Sequence, residues 1–493
     1  MLKMSARCVL LCLAALLAAA PVFADVMPQK NGISDVDARV AEAAALYSWV
    51  SSFERPEKSS PFVVDVPTQR LAALKSHQPN GGPLWIGVDA DVDFSFTGAD
   101  KAAFGSTFYA DGVMVWSGSF VSPGASGLRL RLEDVNLPKG AALYAFDRHG
   151  QAFGPYSGKA AQMWTNTVAG EELILQLHLP MSHARQATAS LFRVAGVSHM
   201  GDRYAFGRSA SDKAFCSWND SCIINAECAN IPSAIQSLQE GVAYLLYTIG
   251  NGTYLCTGGL LNDTANSGTP YLLTANHCFD TSSSASSLEA YFQWTVGCGS
   301  SCGTQYFPPG TVPRTNGSTL LATSANTDFT LVQLNQPAPS GTTFLGWTTT
   351  PVANSAGTQL FRVSHPAGSP QAYSEHEVNT SAGACGTLPR GDFIYSDATL
   401  ADTEGGSSGS PVLNGSGQVV GQLFGACGAT PSTTCDNDDR TVDGAFAVTF
   451  PSVSQWLDPG SGPTCGNAGD SCSSNSDCCS NKCRGRRGNK TCR

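Results

Sequence analysis

The sequence predicts a mostly β protein: a β-sandwich-like domain, a larger domain of two packed antiparallel barrels, and a small disulfide-rich module at the C-terminal end. Short apolar or alternating stretches recur from Pro83 to about Val197 and again through the second half of the chain. Loops rich in Gly, Ser, Thr and Asn separate them, which is typical of antiparallel strands. Of the 18 cysteines, all but Cys8 and Cys12 lie after residue 215, so disulfides are expected only in the later parts.

The N-terminus and the composition narrow the class of protein. Residues 1–24 predict a secretory signal peptide, because Lys3 and Arg7 precede an apolar run that ends shortly before the expected cleavage site at Asp25. We therefore expect a secreted protein with disulfides. A net charge of −10 argues against nucleic acid as a partner. No later apolar run approaches the roughly 20 residues of a membrane span.

The region before residue 198 predicts one short helix followed by strands. Asp35–Ser51 is rich in Ala, Glu and Val and predicts the helix. Residues from about 80 to 197 contain only short strand-like stretches and predict a small β-sandwich. A carbohydrate-binding sandwich is the alternative interpretation of this domain. His178 and His183 are expected as a surface pair at a strand end rather than as metal ligands.

The segment Glu404–Pro411 is the strongest candidate for a catalytic element. It reads Glu-Gly-Gly-Ser-Ser-Gly-Ser-Pro and has too little bulk for a core strand. Glycines on both sides of Ser408 allow a sharp turn that exposes the hydroxyl beside main-chain N–H groups. An acyl-transfer nucleophile needs this arrangement. We predict Ser408 as the nucleophile and the N–H groups of Gly406 and Ser408 as the oxyanion hole.

Two further stretches supply partners for that serine. His277 ends an apolar run and is followed by Cys278, which Cys256 on the preceding strand-like stretch can bridge. Asp328 directly precedes a stretch of alternating apolar residues. An aspartate there can accept a hydrogen bond from His Nδ1–H and leave Nε2 as a base. We predict the triad His277, Asp328 and Ser408.

The chain order His, Asp, Ser resembles the chymotrypsin-like serine proteases, and most closely the secreted bacterial branch around lysyl endopeptidase. The resemblance rests on Thr-Ala-Asn-His-Cys, Thr-Asp-Phe-Thr-Leu and Gly-Ser-Ser-Gly-Ser-Pro and covers about residues 216–458. It implies a double-barrel protease domain over 214–458 and polypeptide substrates. It also implies that residues 25–213 are a pro-region that assists folding and blocks the site, so the chain's own pro-domain is an expected partner. No cofactor or metal is expected.

The resemblance also implies disulfides and an activation route. It pairs Cys228 with Cys298 and Cys222 with Cys435 or Cys427, beside Cys256–Cys278. Cys216, Cys302 and Cys385 have no readable partner. Animal trypsins pair a new N-terminal amine with an aspartate just before the nucleophile; that position is Ser407 here. Activation is therefore expected from removal of the pro-domain, with processing between Val197 and Lys213.

A few positions in the sequence indicate which substrates the protein prefers. By resemblance, Leu423 and Gly425 offer main-chain groups to substrate and Phe424 forms a wall. Asp402 lies six residues before Ser408, the trypsin spacing for an aspartate that binds Lys or Arg. The lysyl endopeptidase branch takes its specificity aspartate from a later segment, where Thr441 stands here. We predict a basic P1 residue, with a small or medium P1 as the alternative.

An acidic stretch and a cysteine-rich tail complete the chain. The stretch contains four aspartates that match no Ca²⁺ loop spacing and predict a solvated loop, although a calcium site is an alternative: Asp436, Asp438, Asp439 and Asp443. After a linker at 459–464, the six cysteines of 465–493 resemble a knottin module, and that resemblance pairs Cys465–Cys479, Cys472–Cys483 and Cys478–Cys492. The basic tail is expected to stabilise the protein or to contact acidic surfaces or polysaccharide.

A second class of function stays open from the sequence. The same chain is compatible with an exported binding protein that uses its sandwich and knottin-like modules for adhesion on a catalytically inactive protease scaffold. The presence of all three triad residues favours the enzyme.

Overall fold

The structure is a computed structural model that describes residues 24–54, 60–76, 83–184, 190–201, 216, 219–300, 310–381, 383–427, 435, 440–460, 482–486 and 489–492. The predicted signal peptide except Ala24, the expected processing region after Gly201 and most of the cysteine-rich tail lie outside these ranges. Within them, no helix is both long enough and apolar enough to cross a bilayer.

The N-terminal domain is built mostly of strands, as predicted. Asp35 caps the first helix, since its side chain accepts a hydrogen bond from Ala38 N at 2.9 Å. The elements are β1 (Asp25–Val26), β2 (Gln29–Lys30), α1 (Val36–Ser51), β3 (Phe62–Val63), α2 (Thr68–Ser76), β4 (Leu84–Ser95), α3 (Gly98–Ala103), β5 (Gly105–Ala110), β6 (Val113–Val121), β7 (Gly127–Asn136), β8 (Ala142–Phe146), β9 (Ala152–Tyr156), β10 (Lys159–Trp164), β11 (Val168–Ala169), β12 (Glu172–Pro180), α4 (Met181–Ala184) and β13 (Arg193–Met200).

Two sheets enclose the core of this domain. One contains β3, β5, β6, β12, β8 and β9, and the other contains β10, β7, β13 and β4. Phe94 stacks on Trp116 between them, with ring centroids 5.6 Å apart, and both side chains are fully buried. Each such burial stabilises the fold by about 1.5–3 kcal/mol.

His178 corrects one prediction. It was expected at the surface, but it lies within β12 with 8% of its area exposed and its ring 4.6 Å from that of Trp49. Burial lowers the pKa of His178 to about 4, so the ring is neutral at neutral pH. Its role is packing beneath α1.

The double-barrel domain follows from Cys216. Its helix near the C-terminal end begins at Phe446 and ends at Leu457. The elements are β14 (Ile224–Asn225), α5 (Ser233–Gln236), β15 (Val242–Ile249), β16 (Gly252–Leu261), β17 (Tyr271–Ala275), α6 (Ser282–Ser286), β18 (Glu289–Phe292), β19 (Arg314–Asn316), β20 (Ser318–Ser324), β21 (Phe329–Leu334), β22 (Thr343–Phe344), β23 (Trp347–Thr348), β24 (Gln359–Ser364), β25 (Ala372–Val378), β26 (Phe393–Leu400), β27 (Pro411–Asn414), β28 (Val419–Cys427), β29 (Arg440–Ala445) and α7 (Phe446–Leu457), and the tail adds β30 (Cys483–Arg486) and β31 (Asn489–Cys492).

The strands form two barrels, which confirms the predicted fold class. In the first barrel, β15 to β21 pair mainly in the order β20-β21-β17-β16-β15-β18-β19. In the second barrel, β24, β25, β26, β29, β28 and β27 pair in sequence, and β27 closes the ring on β24. The loops that carry the candidate site connect strands of both barrels.

The N-terminal domain and the first barrel share one sheet, which the sequence did not predict. Strand β4 pairs with β16, placing Val88 opposite Gly252 and Leu84 opposite Leu255. The interface also buries charge. Arg129, which is fully buried, donates to Ser287 O at 2.8 Å and to Thr248 Oγ1 at 2.7 Å. The domain is therefore anchored by a β ladder and by a buried guanidinium.

Glu289 forms a second buried contact across this interface. Its carboxylate, fully buried on the first barrel, accepts hydrogen bonds from Asn166 Nδ2 at 2.8 Å and from Thr167 N at 3.0 Å. Arg314 of β19 lies 3.5 Å from the same carboxylate. Because buried charges are stable only when paired, the first barrel relies on the N-terminal domain for part of its hydrogen bonding.

Disulfides fix the double-barrel domain. Where both cysteines are described, the bonded pairs are Cys256–Cys278, Cys228–Cys298, Cys222–Cys435 and Cys385–Cys427. Cys435, not Cys427, is thus the partner of Cys222. In the tail, Cys483 and Cys492 are opposite each other in the register of the β30–β31 hairpin. Cys483 forms a disulfide. The other tail cysteines, Cys465, Cys472, Cys478 and Cys479, lie outside the described residues, so the three predicted tail pairs stay predictions.

Candidate active site

The loop that carries Ser408 lies between β26 and β27 and is anchored by strands of both barrels. Thr257 of β16 donates from its N–H to Ser408 O and from its hydroxyl to Gly406 O, each at 2.8 Å. Gly409 N donates to Leu423 O of β28, also at 2.8 Å. Hydrogen bonds at Gly406, Ser408 and Gly409 therefore fix the segment that was predicted from its glycines to be a tight turn.

The two glycines that flank the Ser407–Ser408 pair adopt backbone conformations that other residues rarely take. Gly406 has φ +100° and Gly409 has φ +80°. A Cβ on Gly409 would lie 2.2 Å from Thr274 Oγ1, and one on Gly406 would lie 2.9 Å from His365 O. Both positions thus require glycine for conformation and for space.

The main-chain groups of this turn suit an oxyanion hole. Ser408 is 3% exposed, and its carbonyl is used by Thr257. Across the part of the chain that the structure describes, neither Gly406 N–H nor Ser408 N–H donates to a protein group. Two main-chain donors in one turn, not used elsewhere in the fold, can bind developing negative charge on a substrate oxygen.

The structure brings His277 and Asp328 together through two hydrogen bonds. His277 follows β17 by two residues, and its Nδ1 lies 2.8 Å from Asp328 Oδ2. Its main-chain N–H donates to Asp328 Oδ1 at 2.9 Å. Because both carboxylate oxygens contact His277, the ring is held with Nδ1 protonated and Nε2 available as a base. Nε2 has no hydrogen-bond partner within the described ranges.

Asp328 is positioned by the second barrel through residues that sequence reasoning missed. It is 3% exposed and has φ +53°, a conformation that aspartate tolerates better than most residues. The preceding carbonyl, Thr327 O, accepts a hydrogen bond from Gln422 Nε2 at 2.7 Å. A Cβ on Gly444 would lie 1.9 Å from the same oxygen. The signal in the sequence is a glutamine inside the apolar run Val419-Val-Gly-Gln-Leu423.

Strand β28 passes beside His277. The Phe424 ring lies edge-on to the His277 ring, with centroids 5.6 Å apart. Among the described residues, and apart from its chain neighbours, no atom lies within 4 Å of the Cβ position of Gly425, so there is space on that side of the strand. Leu423 differs, because its N–H donates to Ser410 O at 3.0 Å and its carbonyl accepts from Gly409. A substrate contact at Leu423 would have to use the second lone pair of that oxygen.

Asp402 lies just beyond β26 and is partly exposed. Its Oδ1 accepts a hydrogen bond from the next residue, Thr403 N, at 2.7 Å. Its negative charge also contributes to raising the pKa of Glu404. The structure thus leaves a partly solvated carboxylate in the nucleophile loop at the predicted specificity position.

Asp443 was expected in a solvated acidic loop, and that expectation was wrong. It is fully buried on β29, where Arg362 Nη2 donates to its Oδ1 at 2.7 Å. Arg362 Nη1 lies 3.0 Å from His376 Nε2, and Thr441 Oγ1 lies 3.2 Å from His376 Nδ1. Burial and the neighbouring Arg362 lower the pKa of His376, so its neutral ring can accept from Arg362. Asp436, Asp438 and Asp439 lie outside the described residues.

These polar residues lie among apolar side chains of the second barrel. On neighbouring strands, Ile394 lies opposite Asp443 and Val412 lies opposite Arg362. Both belong to a buried apolar cluster with Leu360, Val378, Val420 and Ala445. Ser364, two residues after Arg362 on β24, donates from its Oγ to Ser407 Oγ at 3.0 Å. The strand that carries Arg362 therefore also contacts the nucleophile loop.

Another histidine of this domain, His365, has a packing role. His365 is fully buried, stacks on Trp294 with centroids 5.6 Å apart, and its Nδ1 lies 2.9 Å from Ser369 O. Burial lowers the pKa of His365 to about 4. No group of three or more potential metal ligands occurs among the residues with assigned structure.

Several known proteins are similar to parts of this chain. A lysyl endopeptidase from Pseudomonas aeruginosa is 28% identical over 356 residues, covering 68% of this chain and 72% of that protein. A secreted RxLR effector protein from Plasmopara viticola is 26% identical over 283 residues, covering 56% and 66%. The solved structure of the HtrA-type protease AlgW with a tripeptide matches with a TM-score of 0.32 at 18% identity, covering 46% of this chain and 65% of that one.

Two family models match the two domains separately. The model for the lysyl endopeptidase N-terminal domain matches residues 63–201, and the model for the lysyl endopeptidase C-terminal domain matches residues 217–441. Together they take in more than half of the 493 residues. With both domains matched in order, the chain belongs to the lysyl endopeptidase family of serine proteases.

Proposed function

We propose that this chain is a secreted serine endopeptidase that cleaves peptide bonds through Ser408, His277 and Asp328. The observation that carries the proposal is the double hydrogen bond from His277 to Asp328, with distances of 2.8 and 2.9 Å, beside a serine in a tightly anchored glycine turn. This pair fixes the imidazole tautomer that a serine nucleophile needs.

In the proposed mechanism, Ser408 Oγ attacks the substrate carbonyl carbon while His277 Nε2 takes the hydroxyl proton. The N–H groups of Gly406 and Ser408 bind the oxyanion, and Asp328 stabilises the imidazolium that forms. The C–N bond then breaks as His277 protonates the leaving amine, which leaves an acyl ester on Ser408. Water attacks the ester with His277 again as base, and the carboxylic acid product and free Ser408 are restored.

The pro-enzyme and the tail are parts of the same proposal. Residues 25–213 act as a pro-region that is removed by processing between Val197 and Lys213, and the shared sheet of β4 and β16 supports an intimate role in folding. The tail contacts acidic surfaces or polysaccharide through six basic residues: Lys482, Arg484, Arg486, Arg487, Lys490 and Arg493.

A fluorophosphonate probe separates the proposed enzyme from an inactive binding protein. Processed wild-type protein is expected to become labelled on Ser408, as located by mass spectrometry of the tryptic peptides, because the probe requires an activated serine. Ser408→Ala should not be labelled. Absence of labelling in processed wild-type protein that is folded by circular dichroism would favour the binding function.

For specificity, we propose that Asp402 favours Lys or Arg at P1. A charge pair in the pocket is worth about 2–5 kcal/mol, so Asp402→Asn should lower kcat/KM for Lys and Arg substrates by roughly 30- to 5,000-fold and leave uncharged substrates unaffected. Cleavage of a peptide library, with product ends identified by mass spectrometry, measures this. Asp392→Asn, at the opposite end of β26, is the matched control.

The alternative of a small or medium uncharged P1 has an observation in its favour. Asp443, the other acidic residue close to the pocket segment, is already paired with Arg362 at 2.7 Å and offers no net charge to a basic side chain. Library cuts after uncharged residues that are unchanged by Asp402→Asn would support this alternative and remove Asp402 from the pocket.

A further inference from the structure

Glu404, four residues before Ser408, contacts a distant segment of the chain. Its Oε2 accepts a hydrogen bond from Asn219 Nδ2 at 2.7 Å, and its Oε1 accepts from Asp220 N at 2.6 Å. Both donors belong to the start of the double-barrel domain, just after the expected processing region. One carboxylate therefore joins the nucleophile loop to the N-terminal end of that domain.

Asn219 is held on its other sides as well. It is 7% exposed, and its Nδ2 also donates to Pro366 O at 3.1 Å. Its main-chain N–H donates to the carbonyl of Cys216, which is fully buried and disulfide-bonded. Asn219 is thus anchored through both its side-chain amide and its main-chain N–H.

The contact lies next to the turn that carries the predicted oxyanion donors. Ser407 N donates to Glu404 O at 3.0 Å and closes the turn around Gly406. Ala367 N, next to Pro366, donates to Gly405 O at 2.7 Å. A shift of Glu404 would therefore be transmitted directly to Gly406 and Ser408.

We propose that Glu404 is a positioning residue that docks Asn219 and Asp220 onto the nucleophile loop and thereby fixes the N–H groups of Gly406 and Ser408. This inference rests on the proposed function. In animal trypsins, an aspartate directly before the nucleophile binds the new N-terminal ammonium. Ser407 occupies that position here and carries no charge. Glu404 instead uses two neutral N–H donors, an amide and a main-chain group, from the segment that follows the processing region.

The carboxyl group of Glu404 in this contact titrates near neutral pH. Burial, with smaller contributions from the charges of Asp220 and Asp402, raises the pKa of Glu404 from 4.5 to about 7, although both hydrogen bonds oppose this. A carboxyl group whose pKa is raised by folding stabilises the docked state most below pH 4.5, and this contribution is lost as the pH rises through about 7. Glutamine at the same position cannot titrate.

Kinetics of three variants test the proposal, with each rate expressed per fluorophosphonate-labelled site. Glu404→Ala and Asn219→Ala should each lower kcat about 10- to 100-fold and change KM by less than about threefold, because oxyanion donors act mainly in the transition state. The double variant should lose no more than the worse single variant. Glu404→Gln, which keeps one acceptor, should be intermediate, and Glu227→Gln, an exposed change nearby, should behave as wild type.

The pH dependence of the melting temperature tests whether the carboxyl group of Glu404 titrates in the contact or whether its side chain only fills space. The melting temperature of the wild type relative to Glu404→Gln should fall by roughly 5–10 °C between pH 4.5 and 8. Parallel melting curves together with kcat within twofold of wild type in all variants would overturn the inference while leaving the protease intact. Absence of labelling in the wild type would instead remove the proposed function, and this inference with it.

Discussion

Replacing Ser408 by alanine should lower kcat by about 10⁶ while the protein remains folded. The loss follows from the mechanism, since without Oγ no acyl-enzyme forms and the reaction is left with the oxyanion donors and substrate binding alone. Hydrolysis of a peptide substrate by the processed enzyme measures the effect. Because trace wild-type enzyme sets the detection limit, the variant is best matured by added wild type and then purified free of it.

The residues that act with Ser408 should show strong non-additivity. His277→Ala is expected to cost about as much as Ser408→Ala, and the double variant should be no slower than either, since Ser408→Ala removes the nucleophile and His277→Ala removes the base that activates it. Asp328→Asn should lower kcat by about 10⁴, because an amide cannot accept from both Nδ1–H and the main-chain N–H of His277. Near-normal turnover by Ser408→Ala, or additive losses in the double variant, would contradict the assigned triad.

The parts of the site that the sequence predicts are those in which local pattern and chemistry coincide. The glycines around Ser408 are required because of the conformation of a single turn, and that turn is contiguous in sequence. His277 and Asp328 were recognisable because each adjoins the end of a strand-like apolar run. The helix predicted over Asp35–Ser51 follows the same logic, since its composition is local to that stretch.

The remaining features depend on strand register, which the sequence does not encode locally. Asp443 lies in a stretch that reads as a polar loop, but pairing with Ile394 and Leu423 turns its side chain into the second barrel. His178 is buried because α1, which precedes it by more than a hundred residues, covers β12. The ladder between β4 and β16 joins two domains through an edge strand whose partner no local pattern identifies.

The buried pair in the second barrel gives the largest expected effect on stability. Arg362→Met should lower the free energy of unfolding by about 3–5 kcal/mol, because it leaves the fully buried Asp443 without its cation and removes the contact between Arg362 and His376. Burial already raises the pKa of Asp443, so loss of Arg362 should also favour its protonated form. Urea unfolding in a Ser408→Ala background, which prevents self-digestion, measures the change.

Arg440→Met is the matched control on the same barrel. Arg440 lies 3.6 Å from Asp397, and the two side chains are 36% and 45% exposed, so removing this pair should change stability by less than about 1 kcal/mol. If Arg362→Met and Arg440→Met lower the free energy of unfolding equally, burial of the Arg362–Asp443 pair does not explain the loss. Comparing the two variants therefore separates the effect of leaving a buried carboxylate unpaired from the effect of losing any arginine side chain.

The double variant Arg362→Met/Asp443→Leu decides why the pair is present. Replacing a buried ion pair with apolar side chains of similar size is often neutral for stability, so the double variant should recover most of the loss seen in Arg362→Met. Its unfolding would then resemble that of the wild type, although the second barrel had lost its buried ion pair. A change in P1 preference in that stable variant would show that the pair shapes the substrate pocket. Unchanged specificity would limit its role to the interior of the barrel.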